Sequence, residues 1–429
     1  MLSRGSTDLK MFKRVLVLII ILASLELFNF SFLGNDVLKL IELGGIGLIF
    51  LIIILQGIYS QGEGFKLTFK WEVTLIIISV FLSMFMAYSA HNQGLQTTLI
   101  AQRFMYFYFF YFALHLIKIS DYDLEKIIIY LAIVYVIFYL IQFIAYPRIL
   151  FNVRISESRG TIRIFQSGLS YLILGYFIIL TKIFEKQTTG RIALLLLFFS
   201  IFILMATRQL IFSMLFLTLL YILLSKRVKS RILVITLSAA ALVPVIAIFQ
   251  DIFSSILNLS QEQSVGFEED IRILAATFFI TDFFPNNLAY FTGNGADSSN
   301  SGYGIMVQMY RDVFSFYQSD VGIIGDYSKF GCIFLIAVIS VIYKVLRGNF
   351  SEDIIYIKYF FYTVILTAFT GAGHFGDANS IITICILLYI IDIYKFKKVE
   401  DEEKPEDQII NQAFISESNN STMNEGTTH

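Results

Sequence analysis

Apolar stretches long enough to cross a bilayer recur along nearly the whole chain, and this constrains the fold more than any motif does. About a dozen of them run roughly 15 to 22 residues, the length a membrane helix needs. Hydrophobic residues make up 57% of the chain and charged residues only 15%, with a mean hydropathy of +0.73. Such a composition excludes an ordinary soluble core. The expectation is an all-α, polytopic integral membrane protein of about twelve transmembrane helices, because a helix satisfies its own backbone in lipid. Nine spans are expected within 1–249, interrupted by an external segment at 147–167. A large external loop at 250–319 follows, then three spans within 320–394 and a disordered tail at 395–429. The first apolar run, from Val15 to about Leu33, lacks a small-residue cleavage site and reads as a retained helix.

The apolar stretch from Ile192 to Leu224 is either one very long helix or two short ones joined at Thr207, Arg208 and Gln209. Loop charge decides for two, because only then do the basic loops 182–191, 226–231, 344–347 and 395–398 fall on one side. Each half would reach only about 22 to 24 Å at 1.5 Å per residue. The joint bearing Arg208 is therefore expected in a crevice below the membrane surface, where charge marks function.

Cations are partitioned by type. Lysines gather in the loops assigned to the cytoplasm, together with both termini, whereas the opposite loops carry Arg148, Arg154, Arg159, Arg163, Arg208, Arg272 and Arg311. Arginine offers a planar fork to phosphate or carboxylate, so a nearly lysine-free arginine set points to an anionic ligand. The net charge of −1 hides this segregation and gives no sign of a nucleic-acid partner. Cys332 and Cys385 fall inside predicted spans and read as packing residues. No external acidic cluster calls for a metal, and no cofactor is expected.

Three external segments can carry chemistry. The first, 147–167, contains Ser158-Arg159-Gly160-Thr161. In the second, Glu268–Phe284 has apolar helical spacing, reading either as an interfacial helix or as one packed on other external segments; Gly293-Asn294-Gly295 follows, where glycine permits close approach to a ligand. The third is Gly371-Ala372-Gly373-His374-Phe375-Gly376-Asp377. Asp320 stands where the tenth span begins and reads either as an N-cap or as a general base at the membrane mouth. His374 is a second candidate base.

The arginine-bearing loops, the helix followed by G-x-G, the Ser319-Asp320-Val321-Gly322 motif and Tyr327-x-x-x-Gly331 together resemble the O-antigen and exopolysaccharide polymerases. These Wzy-type proteins belong to the superfamily that includes the O-antigen ligases, and the likeness covers roughly residues 148–331. It implies a glycosyltransferase that joins oligosaccharide repeat units carried on undecaprenyl pyrophosphate, at the outer face of a bacterial inner membrane. By the same resemblance Arg154, Arg159, Arg163 and Arg272 would bind the pyrophosphate, with Arg208 and Arg311 alongside, and Asp320 or His374 would be the catalytic base. The lipid-linked glycan, the bilayer and a chain-length regulator are the implied partners. Ligases carry a histidine near the end of the large loop. The histidines here are His91, His115, His374 and His429, none of them in that loop, which favours polymerase. A flippase for the same lipid-linked glycans is the competing reading.

Overall fold

The computed structural model describes residues 2–59, 67–158, 160–228, 230–231, 254, 270–369 and 374–402. The described residues are 75% helical, and among them four helices are long and apolar enough to cross a bilayer: α2 (Asn35–Tyr59, apolar to Leu55), α3 (Lys70–His91), α6 (Asp121–Ala145) and the helix Ile323–Arg347 near the C-terminal end. These are the marks of an integral membrane protein. Around them stand α1 (Leu2–Ser24), α4 (Leu95–Ala101), α5 (Phe110–Ile117), α7 (Leu169–Glu185), α8 (Thr189–Leu204) and α9 (Arg208–Leu224). Then come α10 (Ile271–Thr281), α11 (Ala289–Thr292), α12 (Gly302–Phe314), α13 (the span Ile323–Arg347), α14 (Tyr356–Thr367) and α15 (Ala378–Glu402).

Helix starts follow local chemistry. Ser120 caps α6 by accepting from the Asp123 amide at 3.2 Å, with Asp121 and Asp123 in the first turn, where carboxylates suit the positive helix end. α15 is the buried centre: Ile381, Ile382, Ile384, Leu387 and Leu388 are all inaccessible, and it packs on α5, α7 and α1. Small residues set close crossings. A Cβ on Gly175 of α7 would lie 2.7 Å from Ala132 of α6, and one on Gly45 of α2 would lie 2.5 Å from Ala23 of α1.

One expectation about the spans changes. The stretch Leu99–Ile117, expected to be one span, is broken: α4 stops at Ala101, a 3-10 segment runs Arg103–Phe109, and α5 completes it. The break has a cause in polar satisfaction. Gln102 is fully buried and its amide donates to the Val80 carbonyl at 2.9 Å, while Arg103 turns to Glu42 at 2.5 Å and Glu26 at 3.8 Å. The stretch Ile192–Leu224 divides into α8 and α9, with Ala206 in the left-handed region (φ 48) at the joint. The expected ninth span, Ile232–Phe249, lies outside the described residues.

The fold is also not wholly helical. Between α6 and α7, β1 (Arg154–Ser158) and β2 (Thr161–Phe165) form an antiparallel hairpin in the register Arg154↔Phe165, Ser156↔Arg163 and Ser158↔Thr161. β-branched residues alternating with polar ones on either side of an Arg-Gly turn favour strands over helix. The hairpin marks one end of the bundle; the ends of α3 and α8 and the starts of α9 and α13 share it.

Candidate functional site

Pairing in the hairpin fixes which side chains share a face. Arg154, Ser156, Arg163 and Phe165 project on one side, and Ile155, Ile162 and Ile164 on the other. Ile164 is buried, so the isoleucine face is the one laid on the bundle, against α6 and α8. The arginine face is left turned outward. Phe165 supports it, with the Arg163 guanidinium 5.0 Å and the Arg154 guanidinium 5.7 Å from the ring centroid. Arg159, at the turn, lies outside the described residues. A cleft of about 620 Å³ opens beside that turn, lined by Phe143, Tyr146, Glu157, Ser158, Gly160, Thr161 and Ile162.

Arg163 joins the hairpin to the α8–α9 joint. Its Nε donates to the Met205 carbonyl at 3.0 Å and a terminal nitrogen donates to the Thr207 hydroxyl at 3.4 Å. Met205 is the C-cap of α8, so a cation here also complements the negative end of that helix. The next residue but two is Arg208, the first of α9. Burial holds the Arg163 guanidinium below the ordinary arginine range, and Arg154 presses it lower, with Arg272 and Arg208 adding to the repulsion. Arg154, Arg208 and Arg272 thus each lie within electrostatic reach of Arg163, although the four are spread over more than a hundred residues of sequence.

Arg272 begins α10, where the Asp270 side chain caps the helix by accepting from the Arg272 amide at 2.8 Å. That leaves its guanidinium exposed. Among the described residues, none of Arg154, Arg163 and Arg272 forms an ion pair. Several other cations are compensated. At the opposite end of the bundle Arg14 pairs with Asp123 (2.6 Å), Lys182 with Glu125, Arg227 with Glu185 (2.9 Å) and Asp353, and Lys344 with Glu72 (2.6 Å). Within the bundle Arg103 pairs with Glu42 and Glu26, and His115 lies 3.2 Å from Asp392.

Arg311 stands apart from this group, since it pairs with Asp297 at 2.9 Å within the large loop. Asp320 does not cap the helix: it lies inside a 3-10 turn, Gln318–Val321, and the N-cap of α13 is Gly322 (φ 57, ψ −123), so the carboxylate is off the helix start. That turn packs on α10, the helix that begins with Arg272. His374 is held by a hydrogen bond between its Nε2 and the Thr367 hydroxyl (2.8 Å), and burial lowers its pKa to about 4, so it is neutral at pH 7.

The glycine motifs turn out to grip the chain itself. A Cβ on Gly293 would lie 2.1 Å from the Lys329 carbonyl oxygen, and one on Gly331 would lie 2.2 Å from that of Phe291. The Asn294 amide donates to Ser328 O at 3.1 Å and the Gly295 amide to Lys329 O at 2.8 Å. The close approach that glycine permits is therefore between the large loop and α13. On α10 the aromatic face is turned inward: Phe279 and Phe283 are buried with Tyr303, Val307 and Val321, so the reading as a helix packed on other external segments is the one observed. Sequence reasoning missed Phe165 and Tyr139. Phe165 was legible as the residue two after Arg163 on one strand face. Tyr139, fully buried on α6 with no hydrogen-bond partner for its hydroxyl among the described residues, senses the Arg163 charge and carries no local sequence signal.

No protein-family model and no curated protein matches the chain.

Proposed function

We propose that the protein is a membrane glycosyltransferase of the O-antigen and exopolysaccharide polymerase type, which joins undecaprenyl-pyrophosphate-linked repeat units at the outer face of a bacterial inner membrane. The observation that supports this reading is the group formed by Arg163 with Arg154, Arg208 and Arg272 within its electrostatic reach, of which Arg154, Arg163 and Arg272 form no ion pair among the described residues. Holding like charges together costs free energy unless an anion neutralises them. A pyrophosphate leaving group at the membrane edge is such an anion, and fixed guanidinium groups would stabilise the charge that builds on it as the glycosidic bond breaks. In this reading twelve spans place the hairpin and the large loop outside and both termini in the cytoplasm. Asp320 is the base that deprotonates the acceptor hydroxyl, since its turn packs on the helix of Arg272, whereas His374 is tied to Thr367.

The pairing of Arg103 with Glu26 and Glu42 inside the bundle disfavours a flippase, which needs cations exposed along its path. The test is in vitro polymerisation of purified lipid-linked repeat units. Arg154→Lys and Arg272→Lys should each lose about 1.5 to 3 kcal/mol of binding, roughly tenfold to a hundredfold. Wild-type protein that moves the lipid-linked unit across vesicles but never lengthens it would give the site to a flippase instead.

A further inference from the structure

The large loop contains a helix whose apolar arc is wider than the core it packs on. Along α12, Tyr303 and Val307 are buried and Met306 and Tyr310 pack beside them, in the cluster with Phe279 and Phe283. Ile305, Met309 and Val313, four residues apart, form a second stripe that is 65%, 48% and 67% exposed. Polar residues fill only the remaining sector, with Arg311 neutralised by Asp297. An exposed i, i+4, i+8 stripe on a helix already anchored by its other side needs a second apolar medium.

Depth identifies that medium. α3 has 22 residues, about 33 Å at 1.5 Å per residue, enough for a hydrocarbon core of about 30 Å. Its last residue, His91, stacks on Tyr303 in the first turn of α12, with ring centroids 4.1 Å apart and planes 15° from parallel. Gly295, shortly before α12, sits still lower on α3, where a Cβ would meet the Ser83 carbonyl at 2.8 Å and the Ala87 side chain at 2.9 Å. Between these contacts α11 rests on α3 and α13, with Leu288 and Phe291 61% and 57% exposed. On α3 itself Phe81, Phe85 and Tyr88 are also exposed. The stripe on α12 therefore stands beside the end of a membrane-length helix, at the level where its hydrocarbon-spanning segment stops.

We propose that α12 lies in the bilayer interface, with Ile305, Met309 and Val313 inserted among the lipid acyl chains beside the end of α3. The large loop is thereby a lipid-anchored collar, independent of what the arginine site binds. Uncharged lipid suffices as occupant, because the stripe itself bears no charge.

The protein has a single tryptophan, Trp71, so Trp71→Phe provides a silent background for Met309→Trp and, separately, Val313→Trp. Each is reconstituted into phosphatidylcholine vesicles with lipids brominated either near the head group or near the chain end. Ser299→Trp, at an exposed position in the same loop, is the aqueous reference. The expected result is strong quenching of both stripe positions by the shallow bromolipid, weaker quenching by the deep one, and protection from aqueous iodide, with the reverse at position 299. Iodide quenching without bromolipid quenching at both stripe positions would overturn the proposal. So would protection from both quenchers together with crosslinking between copies, which would assign the stripe to a second copy of the chain.

Discussion

Replacing Gly331 by alanine tests whether the glycine motifs are structural couplings or part of a ligand seat. Gly331 adopts φ 77 and ψ −176 inside α13, a region that side-chain-bearing residues essentially do not enter. The conformational strain costs about 1 to 3 kcal/mol. The added Cβ would also lie 2.2 Å from the Phe291 carbonyl oxygen and 2.5 Å from the Gly293 nitrogen, and forcing those backbones apart costs a further 1 to 3 kcal/mol or so. A loss of about 2 to 6 kcal/mol is expected, and Gly293→Ala should match it, since the two glycines face each other. Gly302→Ala, with nothing within 4 Å of its Cβ, should leave stability unchanged. Thermal unfolding of the detergent-purified variants, followed by circular dichroism and gel filtration, measures this. If Gly331→Ala unfolded with the wild type while losing only ligand binding, the interlock would be wrong and the motif would belong to the site.

Asp320→Asn should leave thermal stability unchanged, because the residue caps no helix, while lowering polymerisation about 10² to 10⁴ fold; equal activity would remove it as the base. His374 has a folded-state pKa of about 4 against an ordinary value of 6.5, so as pH falls the unfolded state takes up the proton first. Stability should be flat above about pH 7 and decline between 6.5 and 4 by up to about 3 kcal/mol. His374→Gln should flatten that decline in unfolding midpoints measured across the range. Asp297→Asn, which breaks a partly exposed pair with Arg311, should cost less than about 1 kcal/mol and leave substrate affinity intact. An effect as large as that of Arg272→Lys would place Arg311 in the site after all.

The sequence exposed the features that depend on composition and local order. Apolar length identified the membrane helices, and loop charge located the α8–α9 joint at Thr207 to Gln209, where a left-handed Ala206 now separates the helices. The hairpin was equally legible, since Thr161-Ile162-Arg163-Ile164-Phe165 alternates with a period of two, but an external segment between long helices invites reading as a loop. What local pattern could not supply was pairing at a distance. Nothing near Gly293 indicates that its partner is Lys329, and nothing near Arg272 places it by a hairpin more than a hundred residues earlier. The same holds for Asp297, whose ion pair withdraws Arg311 from the arginine group, and for Gln102, whose buried amide breaks an otherwise continuous apolar run.

The central claim is that the arginine group receives a lipid-borne pyrophosphate. Its most direct test is equilibrium binding of undecaprenyl pyrophosphate, and of undecaprenol lacking phosphate, to the protein in nanodiscs, compared among wild type, Arg154→Gln and Arg272→Lys. The account predicts selective binding of the pyrophosphate by the wild type and a loss of roughly tenfold or more in each variant, with folding unchanged. Equal affinity for the two lipids, or undiminished pyrophosphate binding in both variants, would contradict it.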